Sequence, residues 1–92
     1  MQSHMQFRII RKPELLALTG LSKSTIYNKI NEKEMCPPIS LGARAVGFIY
    51  GEVMAVIKAM ISGNSQAEIE ALVQDLLVQR QQNSLVPSWG QL

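Results

Sequence analysis

The sequence predicts a mainly α domain with one small β-hairpin: two helices meeting at a tight corner, then the hairpin, then two further helices. Three observations predict it. Gly20 and Ser22 stand at the junction of two short helical patterns, where one can end a helix and the other can cap the next. Pro37-Pro38 forbids further helix and is followed by two β-prone runs around Gly42. Apolar residues then recur at helical spacing after Gly51 and again after Ser65. A turn-helix corner followed directly by a hairpin is a winged helix-turn-helix, here extended by a C-terminal helix.

In chain order, Met1 to Gln6 carries no pattern, Ser3-His4-Met5 resembles a cloning remnant, and His4 has no assigned role. Phe7-Arg8-Ile9-Ile10 is β-prone but alternates poorly, and is expected as an extended lead-in over the core. Pro13 suits the first turn of a helix carrying Leu15, Leu16 and Leu18, which Gly20 stops by entering the left-handed backbone region. Ser22 caps a second helix, expected over residues 22–33. On its wheel Ile26 and Ile30 share the inner side with Lys33 near it. Ser24, Thr25, Asn28 and Asn31 project outward, Lys23 and Lys29 flank them, and Tyr27 sits at the boundary. Such a helix offers hydroxyls, amides and ammonium groups on an apolar anchor, which is the chemistry that fits a major groove.

Ile39-Ser40-Leu41 and Val46-Gly47-Phe48-Ile49-Tyr50 are expected to pair as the wing, at about residues 39–50, with Gly42 to Ala45 turning between them. Arg44 lies near the tip, where it either reaches a phosphate or the minor groove or is a plain solvated charge. Gly51 is expected to cap the next helix, with Glu52 in the polarised first turn and Val53, Val56, Ile57, Met60 and Ile61 as its inner stripe. Met54 widens that stripe sideways, so a cover is needed. Ser65-Gln66-Ala67-Glu68 is a capping box that opens a last helix with Ile69, Leu72, Val73, Leu76 and Leu77 on one side and Glu70, Gln74, Gln81 and Gln82 on the other. That helix either folds back on its own domain or pairs with the same helix of a second copy. Residues 7–62 thus form the candidate DNA-binding domain, 63–83 a C-terminal amphipathic helix and 84–92 a tail, whose Trp89 either docks on protein or stays in a disordered end.

Charge separates along the chain. Residues 8–44 hold seven bases (Arg8, Arg11, Lys12, Lys23, Lys29, Lys33, Arg44) and three acids (Glu14, Glu32, Glu34), a net of +4. Beyond them stand two bases (Lys58, Arg80) and four acids (Glu52, Glu68, Glu70, Asp75), a net of −2. The basic excess accompanies the corner, as expected of a nucleic-acid surface. A chain of 92 residues supports one domain and no two-lobed cleft. No apolar run is long enough to span a bilayer, signal-peptide architecture is absent, and the lone Cys36 has no partner for a disulfide or zinc site, so a cytoplasmic location and a buried structural thiol are expected. Catalysis is not expected. Cys36 lacks a positioned base, the carboxylates show no inward pair, and the phosphate- and dinucleotide-binding glycine motifs are missing.

Several segments taken together carry a family resemblance: Arg8-Ile9-Ile10-Arg11, Thr19-Gly20-Leu21-Ser22-Lys23-Ser24-Thr25-Ile26-Tyr27, Pro38-Ile39-Ser40-Leu41-Gly42-Ala43-Arg44-Ala45-Val46-Gly47-Phe48, and Gly51-Glu52-Val53. In their order and near their spacing they resemble the AlpA family of phage and prophage regulators, over about residues 8–61. The resemblance implies a small winged helix-turn-helix of the MerR and excisionase type that binds DNA at prophage promoters or attachment sites. It puts Ser24, Thr25, Tyr27 and Asn28 on the recognition helix and Arg44 in the wing. Asn28 replaces the family's usual Arg or Lys, which moves the expected base preference from guanine toward adenine. The segment from Asn31 to Cys36 is more acidic than the usual glycine-containing turn, and Phe48 and Val56 stand where the family has tryptophans.

The expected function is a sequence-specific, DNA-binding transcriptional regulator of prophage genes. Its expected DNA-binding residues are Lys23, Ser24, Thr25, Tyr27, Asn28, Lys29 and Arg44. Double-stranded DNA is the expected partner, with homodimerisation through the C-terminal helix as one option. No cofactor, metal, membrane or small-molecule ligand is expected. The alternative is a protein-interaction module or excision factor that engages a recombinase or another regulator through that helix.

Overall fold

Pro13 opens and Gly20 closes the first helix of the computed structural model, which describes residues 8–82. The leader with His4 and the tail with Trp89 lie outside the described residues. Helix α1 spans Lys12–Thr19 and buries Leu15, with Leu16 packed beside it. Gly20 takes φ 71° and its N–H donates to the Leu16 carbonyl at 2.8 Å, so glycine's tolerance of the left-handed region ends the helix as expected. Leu18, on the same helix, is exposed. Helix α2 spans Lys23–Asn31, and Ser22 caps it: the Ser22 Oγ accepts from the Thr25 N–H at 3.2 Å. The turn between the helices is tightened by Thr19, whose Oγ1 donates to the Leu15 carbonyl at 3.0 Å and accepts from the Leu21 N–H at 3.2 Å.

Helix α2 stops two residues short of the expected end. Lys33 lies outside it with φ 65°, its N–H donating to the Ile30 carbonyl at 3.1 Å, while the Glu34 N–H donates to the Lys29 carbonyl at 2.8 Å. This is the hydrogen-bond pattern of a left-handed helix stop, normally a glycine's place. Lys33 therefore takes no part in the inner side of α2, and the exposed side chain points away from the core.

The chain then runs through buried Met35 and Cys36 to strand β2, Ile39–Ser40, which pairs antiparallel with β3, Val46–Ile49. The expected hairpin is present, closed by the Leu41 N–H on the Ala45 carbonyl at 2.8 Å. A third strand, Ile9–Ile10 (β1), adds to the other edge of β3, giving the order β1-β3-β2. The lead-in is thus a sheet member, with Ile9 opposite Ile49 and Ile10 opposite Phe48. Ile10 and Phe48 point into the core. On the opposite face Gly47 leaves room for its neighbours: a Cβ there would lie 2.6 Å from Ile9 Cγ2 and 2.9 Å from Leu41 Cδ1.

Helix α3, Tyr50–Ile61, starts earlier than expected. Tyr50 belongs to the helix rather than the strand, Ile49 holds the N-cap position without a side-chain cap bond, and Gly51 lies inside the first turn. The Tyr50 N–H is taken by the Arg8 carbonyl at 2.7 Å, so pairing with β1 replaces the cap expected at Gly51. Val53, Val56 and Ala59 are buried, and Ile57 and Met60 pack against them. Ile61 is 80% exposed, because the helix ends there in another left-handed stop at Gly63 with φ 79°.

Helix α4, Gln66–Gln82, begins with the expected capping box: the Ser65 N–H donates to Glu68 Oε1 at 2.8 Å and the Glu68 N–H to Ser65 Oγ at 3.2 Å. It folds back on α3, with Ile69 and Val73 buried and Leu72, Leu76 and Leu77 packed on the core. The expected stripe is therefore spent within the chain. Glu52, expected as a helix-dipole residue, is buried and receives two 2.7 Å hydrogen bonds from Arg80 near the end of α4.

Candidate nucleic-acid interface

The α2 surface follows from how its two isoleucines are held. Ile26 is buried and Ile30 packs against the core, so the helix turns Ser24, Tyr27, Asn28 and Asn31 outward. Thr25 is half-buried and Lys23 exposed. Ser22, Ser24 and Thr25 form a hydroxyl group around the cap: Ser22 Oγ donates to Thr25 Oγ1 at 2.9 Å and lies 3.4 Å from Ser24 Oγ. Asn28 and Asn31 make no side-chain hydrogen bond among the described residues, which leaves both amides open to an outside partner.

The cations divide into committed and uncommitted groups. Arg8 pairs with Glu14 at 2.6 Å and lies over the Tyr50 ring at 4.9 Å. Lys29, expected as a flanking cation, is half-buried with its ammonium 3.4 Å from Glu34. Arg11 Nε donates to the Val46 carbonyl at 2.9 Å, which ties the start of α1 to the base of the β2–β3 loop. Lys12, Lys23, Lys33 and Arg44 have no carboxylate within ion-pair distance among the described residues. Arg44 is exposed in that loop, as its position in the sequence suggested.

Lys12 is the residue that the helical wheel could not find. Its ammonium donates to the Tyr27 hydroxyl and lies 4.7 Å from the ring centroid. This hydrogen bond, with the charges of Lys12 and Lys23 behind it, lowers the Tyr27 phenol pKa below its ordinary value. The only signals in the sequence were an unassigned base at the start of α1 and an aromatic at the boundary of α2. Among the described residues no three His, Cys, Asp or Glu side chains gather as metal ligands, and no helix is long and apolar enough to cross a membrane.

Fold and site together define a compact, mainly helical domain with a small three-stranded antiparallel sheet, exposing one polar helix face beside uncommitted cations. The family described as "Prophage CP4-57 regulatory protein (AlpA)" matches residues 8–60. The chain belongs to the AlpA family of prophage regulatory proteins. It is also similar to an uncharacterized protein, ORF88, of Enterobacteria phage P4, at 41% identity over 61 residues, covering 66% of this chain and 69% of the relative. No solved structure matches the chain. Helix α4 lies wholly beyond the family match.

Proposed function

We propose that this AlpA-family protein is a sequence-specific DNA-binding regulator of prophage genes, built as a winged helix-turn-helix with α2 as recognition helix and the β2–β3 hairpin as wing. One observation carries the proposal: α2 is anchored by Ile26 and Ile30 while Ser24 and Asn28 stay exposed on the helix that also carries Lys23, a lysine with no ion-pair partner among the described residues. Ser24, Thr25 and Asn28 read base edges in the major groove, where an Asn amide matches the donor and acceptor of adenine. Lys23 and Arg44 contact phosphates. Lys29 contributes less than either, since Glu34 offsets much of its charge. The protein acts without a cofactor and without chemistry of its own, inside the cell that carries the prophage.

A module of this size makes few base contacts, so useful specificity calls for two or more copies on adjacent sites. The apolar stripe of α4 is packed on α3, which argues against using that stripe for a dimer or for capturing a recombinase. The deciding experiment is a titration of the full chain against a duplex selected from a randomised library and against an unrelated duplex, over a salt series. Binding should weaken steeply with salt. Asn28→Ala should relax preference at one base position, and Lys23→Ala should weaken both duplexes about equally. Absence of salt-sensitive binding to any duplex would refute the proposal.

A further inference from the structure

The Lys12 and Tyr27 side chains come from helices on opposite sides of the turn and meet at the exposed surface. Tyr27 is 41% exposed, and Lys23 lies one helical turn before it on the same side of α2. A phenol oxygen that accepts from an ammonium keeps its own proton for an acceptor outside, and the ammonium keeps two further N–H donors. The pair therefore presents one O–H and two N–H donors beside a positive charge, held in place by the hydroxyl contact. Its complement is an anion that accepts at more than one oxygen. Major-groove base edges fit less well, since adenine mixes a donor with an acceptor, cytosine offers a donor and thymine a single acceptor beside its methyl; guanine, with two acceptors, is the exception.

We propose that Lys12 and Tyr27 together form a binding point for one backbone phosphate of duplex DNA, the Tyr27 hydroxyl donating to one oxygen and the Lys12 ammonium to another. This rests on the DNA-binding function above and deepens it. Tyr27, which its place on the recognition helix groups with base-reading residues, becomes a positioning residue, and Lys12 joins the interface from α1. A contact made jointly by α1 and α2 fixes the angle at which α2 enters the groove, so its loss affects every sequence alike.

The test uses the full chain with Lys12→Met, Tyr27→Phe, the double substitution and Lys12→Arg, against the selected and unrelated duplexes. Each single loss should weaken both duplexes by the same factor, about three- to tenfold, with Lys12→Met also reducing the salt slope by about 0.9. The double variant should lose less than the product of the two, since both groups serve one phosphate. Lys12→Arg should keep the slope. Neutral methylphosphonate at the contacted position should abolish the difference between wild type and Lys12→Met. Loss confined to one base pair of the selected duplex would overturn the proposal in favour of guanine reading. Unchanged affinity of folded variants, beside salt-sensitive wild-type binding, would overturn it as well and leave a clip between α1 and α2. If the wild type itself binds no duplex, the parent proposal fails together with this one. Circular dichroism melts show which variants are folded, and Tyr27→Phe with Lys12→Arg still decides the question if Lys12→Met does not fold.

Discussion

Arg80 holds Glu52 from 28 residues away, with Nε and a terminal nitrogen each 2.7 Å from a different carboxylate oxygen. The same guanidinium donates to the Pro37 carbonyl at 2.7 Å. One side chain near the end of α4 thus fastens the start of α3 and the segment that leads into the hairpin. The Glu52 side chain is 8% exposed and that of Arg80 23%, so the pair is shielded enough for its removal to matter. Because α4 lies beyond the family match, this is how the additional helix is bolted to the family domain.

Arg80→Ala should destabilise the protein by about 2–3 kcal/mol, since it leaves a buried carboxylate and a carbonyl without partners. Replacing both members with apolar residues should recover part of that loss, and a double-mutant cycle by urea unfolding measures the coupling. Equal and additive losses would mean that the two groups do not act as a pair.

Gly47→Ala should cost about 1–3 kcal/mol. The new methyl would overlap Ile9 Cγ2 and Leu41 Cδ1, and the Ile10 carbonyl oxygen at 3.2 Å blocks a third direction. Ile9 cannot yield easily, because its branch point belongs to a strand paired with β3. Thermal melting checks this, and truncating Ile9 to Ala in the same background, which removes Cγ2, should return part of the stability.

Lys33→Gly should stabilise by about 0.5–1 kcal/mol, a rise of about 2–8 °C in Tm for a domain of this size. The residue has φ 65° in the stop after α2, where a side chain is strained and glycine is not. Lys33→Ala keeps the strain and should give no such gain, which separates the backbone effect from the loss of a charge.

Cys36 should resist thiol reagents in the folded protein and react at the rate of unfolding. Burial pushes its thiol up to about 12, and the Glu52 carboxylate beside it adds to the effect. An unfolded thiol ionises near pH 8.5, so the folded state has the raised value. Its contribution to stability is complete below about pH 8.5 and is lost as pH rises from there toward 12. Urea midpoints measured between pH 7 and pH 10 should therefore fall more steeply for wild type than for Cys36→Ala, and parallel curves would remove the thiol as the cause.

The parts legible in the sequence were those set by neighbours within about one helical turn. Gly20, Ser22 and the Ser65–Glu68 box stop or start helices through bonds to residues three or four positions away, so their roles are written locally. The inward Ile26 and outward Ser24 and Asn28 likewise follow from helical period alone. Other features needed the folded chain. Ile9–Ile10 is too short to show a strand period and becomes one only because β3 offers a free edge. Glu52 reads from the sequence as a helix-start acid, and its pairing appears only when Arg80 arrives from α4; Lys29 reads as a flanking cation, and the turn brings Glu34 to it. Lys12 and Tyr27, 15 residues apart, belong to different helices, and only the angle between those helices makes them one group. Local backbone chemistry determined which segments form and which way they face. Tertiary packing decided which charges are spent inside the molecule and which remain for a partner, because that depends on distances no local pattern encodes.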